Sequence, residues 1–478
     1  MMPRITPAPA TPGDARSSDE PAAAGGPRTA PPAQGWRSLL LVYAVTSAVE
    51  SMGVAQVFAF LPTRLSEVGL PDSQVPTFTG LFTSLIFVFG IVLVPFWGVW
   101  ADKYSRRAVI VRSALVEAVV FAGVALAREP WQLAASLLLV GLQLGNTGVM
   151  LAALRDVTPR DRVGTVIGLF GATGPLGMAL GPVLGAFMID GLHLPLTDVF
   201  WLAALLSVAV IALLLLGSRD IRPAVAPVGS AVTLARRAIT GVLADPAVRR
   251  IFLIFGVSIL ASQMSRPYLP LLVKSLQGGQ PHLASAIGLV TGVAVLLGAL
   301  LSPLAGPLGD RVGFRAVLAG ALVGAGVTLF GMSVAPSVAV LAGAVVVYSG
   351  LQAATQAMVF GLVAVEVAPE RRAATLNLVL LPLYIAGIIG PTVGAVAAGV
   401  GGIPAPFVVA AVVFIVGGVG VAVSLRRARA ARADARGDEL ADPIAAIVQQ
   451  HQPDGHRDHQ QIEFPHPAQR RRLTAAFG

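Results

Sequence analysis

Hydrophobic positions along this chain come in long unbroken runs, without the period-two alternation of half-buried strands. Twelve runs stand out: 38–62, 76–100, 108–127, 131–154, 163–189, 197–217, 249–273, 283–308, 316–334, 336–363, 373–400 and 404–425. Helices apolar on every face need an apolar surround. A bilayer core takes about 20 residues of helix, so each run predicts one membrane span. The polar connections are short except for 218–248, which holds Arg219, Arg222, Arg236 and Arg237. That linker separates a six-span bundle at 38–217 from a second at 249–425. Residues 1–37, rich in Pro, Ala, Gly and Ser, and the basic segment 426–478 are expected to be disordered tails. The first tail has no apolar core or cleavage site of a secretory signal.

Composition sharpens this picture. Only 12% of the 478 residues are charged, against 55% hydrophobic, and a soluble domain carries about twice that charged share. So little charge cannot cover a water-facing surface of this size, which excludes a soluble globule and a disordered chain. No cysteine is present, which removes disulfides and thiolate sites together. The net charge of +9 is read by position, because Lys and Arg placement sets membrane topology. One set of alternate loops holds Lys103, Arg106, Arg107, Arg155, Arg160, Arg162, Arg311, Arg315, Arg371 and Arg372; the other set holds Arg64, Arg128 and Lys274. Both termini and the linker are therefore expected in the cytoplasm, and nucleic acid is not an expected partner.

The two halves share landmarks at one offset. Phe60-Leu61-Pro62 recurs as Tyr268-Leu269-Pro270, 208 residues on, and Gly98-x-x-x-Asp102 as Gly306-x-x-x-Asp310 at the same interval. Pro159 recurs as Pro369 at 210, and Gly181-Pro182 as Gly390-Pro391 at 209. Duplicated bundles facing a central cavity are a common transporter plan.

The duplicated loops carry the clearest motif. The first reads Gly98-Val-Trp-Ala-Asp102-Lys103-Tyr-Ser-Arg106-Arg107, and the second Gly306-x-x-Gly309-Asp310-Arg311-Val-Gly313-Phe-Arg315. An Asp there can accept backbone N–H groups or pair with Arg, and the basic residues can anchor the loop at anionic headgroups. These segments resemble the loop signature of the major facilitator superfamily, and the resemblance covers about residues 38–425. Lys103 replaces the usual Arg and Ser105 a usual Gly, without loss of the Asp or of the positive charge. The resemblance implies an all-α membrane protein of twelve transmembrane helices in two pseudo-symmetric six-helix bundles. It implies that Gly98, Asp102, Lys103, Arg106 and Arg107, with Gly306, Asp310, Arg311 and Arg315, form conformational gating loops.

Span five contains Gly177, Gly181, Pro182 and Gly185. Small residues at this spacing let helices pack closely, and proline opens the helical ladder. The Gly181-Pro182-x-x-Gly185 segment also resembles the antiporter motif of exporters in this superfamily, which implies a kinked hinge that limits leakage. Span four lacks the family's coupling Arg: Gly141 stands there, in Gly141-Leu-Gln143-Leu-Gly145.

Ionisable residues inside spans are few, and each costs several kcal/mol unless satisfied. Glu50 in span one is a candidate proton carrier or cation-recognition carboxylate, or a structural hydrogen-bonding group. Glu117 in span three, a helical turn beyond Arg112, is a second candidate for coupling, or a structural partner. Arg266 in span seven, at the repeat position opposite Phe58, is open to three readings: an anion site, a partner for Glu50, or a snorkelling side chain. Gln56, Gln143, Asn146, Gln263, Gln352, Gln356, Asn377 and Tyr384 are further cavity candidates. No phosphate-binding Gly loop, Ser/His/Asp set or zinc-ligand spacing occurs, so no ATP use, enzyme, cofactor or metal is expected.

The expected function is proton-coupled efflux of drugs or small amphipathic metabolites by alternating access, as in the drug:proton antiporter branch. The expected partners are a small-molecule substrate, protons and the lipid bilayer, for a monomer in a bacterial inner membrane. Metabolite uptake or facilitated diffusion is the alternative, favoured by the missing span-four Arg. A non-transporting receptor or scaffold is the third reading.

Overall fold

The computed structural model describes residues 35–221, 229–230, 232–233, 236, 240–241, 244–301, 304–367 and 381–450. The expectations for the N-terminal tail, Pro369, Arg371, Arg372 and Asn377 fall outside these residues.

Among the described residues the regular structure is helical, without strands. Eleven helices among these residues are long and apolar enough to cross a membrane. The remaining span, eight, is a shorter apolar helix, Leu283–Ala299, interrupted by a π turn at Leu289–Val293 and followed by a separate helix at Ala305–Val312. The chain is thus a multi-pass membrane protein close to the expected twelve spans. Large side chains remain bare on its outer faces, among them Leu216 and Val400 at 89% exposure each. Apolar surface on this scale suits lipid.

Local chemistry sets the helix ends. Ser105, one of the two residues that depart from the loop signature, caps span three by accepting the Ala108 N–H at 3.0 Å. Glu129 and Gln132 form a capping box at span four, and Ser337 caps span ten. Arg64 is no loop cation: its guanidinium is buried, donates to the carbonyls of Val124, Ala125 and Ala127, and pairs with Glu67 at 2.8 Å. It satisfies the end of span three, where helices leave carbonyls unpaired. The last helix runs Ala405–Gln450, through the start of the expected disordered tail at 426. The Ala- and Arg-rich sequence there has high helix propensity.

The two halves pack alike. In the first, span one lies on spans five and six, and span four touches spans two and three; spans three and six also pair. The second half repeats this, with seven on eleven and twelve, ten on eight and nine, and nine on twelve. Between the halves, span two packs on eleven and span five on eight. Gly80 abuts Tyr268 and Pro391, Phe87 lies on Gly387, and Ser84 Oγ donates to the Ile388 carbonyl at 2.9 Å. Gly288 meets Pro182 and Ala186, and Gly292 meets Ala179. These contacts lie from mid-helix to the side remote from the chain termini. On the terminal side of span five, Gly164, Gly168 and Gly171 face open space.

Candidate functional site

A break in span four organises the charges of the first half. Its helix stops at Gln143 and restarts at Asn146, with Gly145 at φ 99°, in the left-handed region that favours glycine. The first piece ends inside the membrane with free carbonyls. Arg112 of span three donates to the carbonyls of Gln143 and Leu144 at 3.3 and 3.4 Å, and Ser113 Oγ donates to that of Gln143. The Arg112 guanidinium also lies 3.8 Å from the centre of the Trp97 ring. A cation suits a helix C-terminus and an aromatic face. The second piece begins with Asn146, whose Nδ2 donates to both oxygens of Glu50 at 2.6 and 2.7 Å. An anion suits that helix N-terminus.

Glu117 joins the same cluster. A Cβ on Gly53, one turn after Glu50, would lie 3.4 Å from Glu117 Oε1 and overlap Phe121. Glu117 is fully buried, and its oxygens make no hydrogen bond of standard geometry, although Ser207 and Gln143 lie beside it. Ser207 instead donates to its own helix at Ala203. Two carboxyls and an amide therefore sit buried together with the half-buried Arg112 beside them, and each unmet buried group costs about 1–3 kcal/mol. Gly141, at the position of the missing Arg, packs on Phe89 and Gly90: a Cβ there would lie 2.8 Å from the Phe89 Cβ. An Arg has no room, and Arg112 brings the nearby cation from span three.

A cavity of about 450 Å³ lies between the halves. Ala55, Phe58, Pro175 and Met178 form one wall; Phe255, Gln263, Arg266, Tyr348, Gln352 and Gln356 form much of the other. Of the expected cavity residues, Gln263, Arg266, Gln352 and Gln356 line it. Gln143 and Asn146 belong to the span-four break instead. Gln56 is sealed among packed helices with both amide atoms unpaired, and Tyr384 is packed against Gly90. Arg266 does not pair with Glu50. Its guanidinium lies 4.3 Å from the centre of the Phe58 ring and 3.8 Å from Met178 Sδ. It opens a 3-10 turn, Arg266–Tyr268, where Pro267 interrupts the α-helix. Sequence reasoning missed Tyr348, Met178, Trp97 and the role of Arg112. Only Arg112, an Arg inside an apolar run, had a signal of its own.

The loops show a paired device. Buried Arg106 bonds Asp102 at 2.9 Å and Asp156 at 2.6 Å. In the second loop Arg315, which stands at the repeat position of Arg107, makes a two-pronged bond to Glu366 at 2.7 and 2.8 Å. Asp156 and Glu366, unremarked in the sequence, lie 210 residues apart and close each half in the same way. Lys103 donates to the Gly229 carbonyl at 3.0 Å, and Arg107 to that of Leu215. Gly98, Gly306, Asp310 and Arg311 make no ion pair among the described residues. In span five, Gly177 and Gly181 lie against the carbonyls of Ala48 and Met52, and Gly185 against Phe60. These glycines form a seam with span one, while Pro182 faces the cavity.

The Major Facilitator Superfamily family model matches residues 39–286 and again 251–453. The chain belongs to the major facilitator superfamily. Its relatives include the multidrug resistance protein MdtG of Yersinia enterocolitica, 28% identical over 276 residues, covering 57% of this chain and 66% of that protein. MdtG of Salmonella typhi is 30% identical over 272 residues, covering 55% and 65%. The chain thus spans slightly under two thirds of the length of these relatives. Among solved structures, the nucleoside transporter NupG superposes with a TM-score of 0.65 at 14% identity, over 80% of this chain and 98% of that one. The human organic anion transporter MFSD10 superposes at 0.59 and 19% identity, over 82% and 100%. These likenesses establish the major facilitator fold.

Proposed function

We propose that this member of the superfamily exports small amphipathic molecules, drugs among them, in exchange for protons. The observation behind this reading is the buried pair Glu50 and Glu117, set against the break in span four of a fold that also holds a cavity between two duplicated bundles. A carboxyl held in a dry wall by one amide takes up or gives off a proton as its surroundings open or close to water. Glu50 is the carrier, Asn146 its positioning residue and Arg112 the fixed counter-charge; Glu117 relays between spans three and one. The MdtG relatives are multidrug resistance proteins, which supports the substrate class.

Basic loops on the terminal side support a chain with both termini in the cytoplasm, and the bacterial MdtG relatives support an inner-membrane setting. Contacts between the halves on the opposite side support a cytoplasm-open state in which the cavity loads. The bundles 38–217 and 249–425 then rock about it, with the span-five seam as hinge and the Arg106 and Arg315 loops as gates.

Cells overproducing the protein should accumulate less dye, fluorescein or rhodamine 123, than empty-vector cells, and an uncoupler should erase the difference. Glu50→Gln should erase it as well. Unchanged, uncoupler-sensitive efflux in Glu50→Gln would remove that residue from the mechanism. Net inward accumulation by vesicles would favour uptake.

A further inference from the structure

We propose that Arg266 is the recognition point for an oxyanion on the transported molecule, so that the cavity selects amphipathic organic anions. This rests on the reading of the cavity as a transporter's substrate site.

The cavity wall holds Arg266 as its one full charge and no Asp or Glu among the described residues. An unpaired guanidinium in the membrane interior is costly. Here it is held by an aromatic face and a thioether, at 4.3 and 3.8 Å, and both are weak partners. Strong donors for an anion gather at the same place. The Tyr348 hydroxyl makes no hydrogen bond of standard geometry, although Ser262 and Ser265 lie beside it, and all three line the cavity with Arg266. A carboxylate, phosphonate or sulfonate would meet a guanidinium fork and hydroxyl donors in a space of low polarity, where such bonds are strongest. The rest of the wall is apolar, including Phe58, Met178, Phe255 and Leu329, and suits the body of an amphipath. Among the described residues the two buried carboxyls, Glu50 and Glu117, lie in the span-four cluster, so nothing in the wall offers a cation an equal partner.

Fluorescein and rhodamine 123 share a xanthene frame and carry opposite charge. Equilibrium dialysis of each against the purified full chain tests the inference. Wild type and the exposed-loop control Arg128→Gln should bind fluorescein more tightly than rhodamine 123. Arg266→Gln should weaken fluorescein binding at least tenfold, Arg266→Lys should retain part of it, and Tyr348→Phe should weaken it severalfold. Equal fluorescein binding by wild type and Arg266→Gln, a wild-type preference for rhodamine 123, or no saturable fluorescein binding would each overturn the inference. If Arg266→Gln does not elute as a folded species, the wild-type dye preference and Tyr348→Phe decide. Flux driven by a pH gradient in proteoliposomes is scored separately. Arg266-dependent binding without flux removes the efflux reading and keeps the site. Flux of rhodamine 123 without Arg266-dependent binding of fluorescein does the reverse.

Discussion

Glu50 and Arg266 are both ionisable groups within the membrane, Glu50 in an unbroken helix facing the break in span four and Arg266 at a 3-10 turn of its own helix, and their surroundings differ in kind. Glu50 faces an amide from a helix N-terminus, with Arg112 and Glu117 close by. Arg266 faces a ring, a thioether and open cavity. A charge matched within the protein can switch state without help from a ligand. A charge left without a counter-charge is completed by what enters. On the proposed reading, the same fold, duplicated, holds an internal switch in one half and a recognition point in the other.

The largest effect should come from the switch. Glu50→Gln should lower proton-driven dye export at least tenfold, whereas Asn146→Ala, which keeps the carboxyl and removes its donor, should lower it less. Vesicle flux assays rank the two; an equal loss would make Asn146 as essential as the carboxyl it holds.

Next comes the packing beneath the switch. Gly141→Arg would drive a long side chain into Phe89 and Gly90, and overpacking costs about 1–3 kcal/mol or more. Loss of folded protein on size-exclusion chromatography is expected. Gly181→Ala, pressed on the Met52 carbonyl, should slow export, while Gly168→Ala, with nothing near its Cβ, should be silent. Equal behaviour of these two variants would refute the seam.

The loop pairs give a third contrast. Arg106 has two acidic partners and 5% side-chain exposure, against one partner and 35% for Arg315. Asp102 and Asp156 are 41% and 40% exposed, so all of these pairs are part-exposed and each contributes about 1 kcal/mol or less, but Arg106 makes two of them and its own side chain is packed away from water. Arg106→Ala should therefore lower the thermal midpoint clearly more than Arg315→Ala.

The smallest effect concerns Glu117, whose carboxyl lacks a bonded partner. Glu117→Met should raise the thermal midpoint by a few degrees, since filling the site with an apolar chain removes an unmet polar group. A fall in the midpoint would mean that the carboxyl has a structural partner.

Much of the architecture was legible because its cause is local. Hydropathy marks spans by composition alone, and duplication leaves landmarks at one offset. Span eight reads as one run at 283–308, yet the structure divides it. Gly288, Gly292 and Gly298 there sit against other backbones, and close approach of that kind leaves no trace in hydropathy. Glu50 was legible because carboxyls inside spans are rare. Its environment was not, since it depends on the φ of Gly145 and on Asn146, which follows it by 96 residues. The same holds for Arg106 and Asp156, 50 residues apart. Gln56, Gln143, Asn146 and Tyr384 were expected in the cavity because they are polar, but helix phase alone does not tell a cavity wall from a helix contact.

The central claim, that Glu50 binds the exchanged proton, is tested most directly by proton release from purified protein in weakly buffered solution. Whichever of the two dyes binds the wild type is added, and the pH change is recorded. The account predicts release on binding by wild type and none by Glu50→Gln, with dye binding retained. Wild-type release from Glu50→Gln would contradict it.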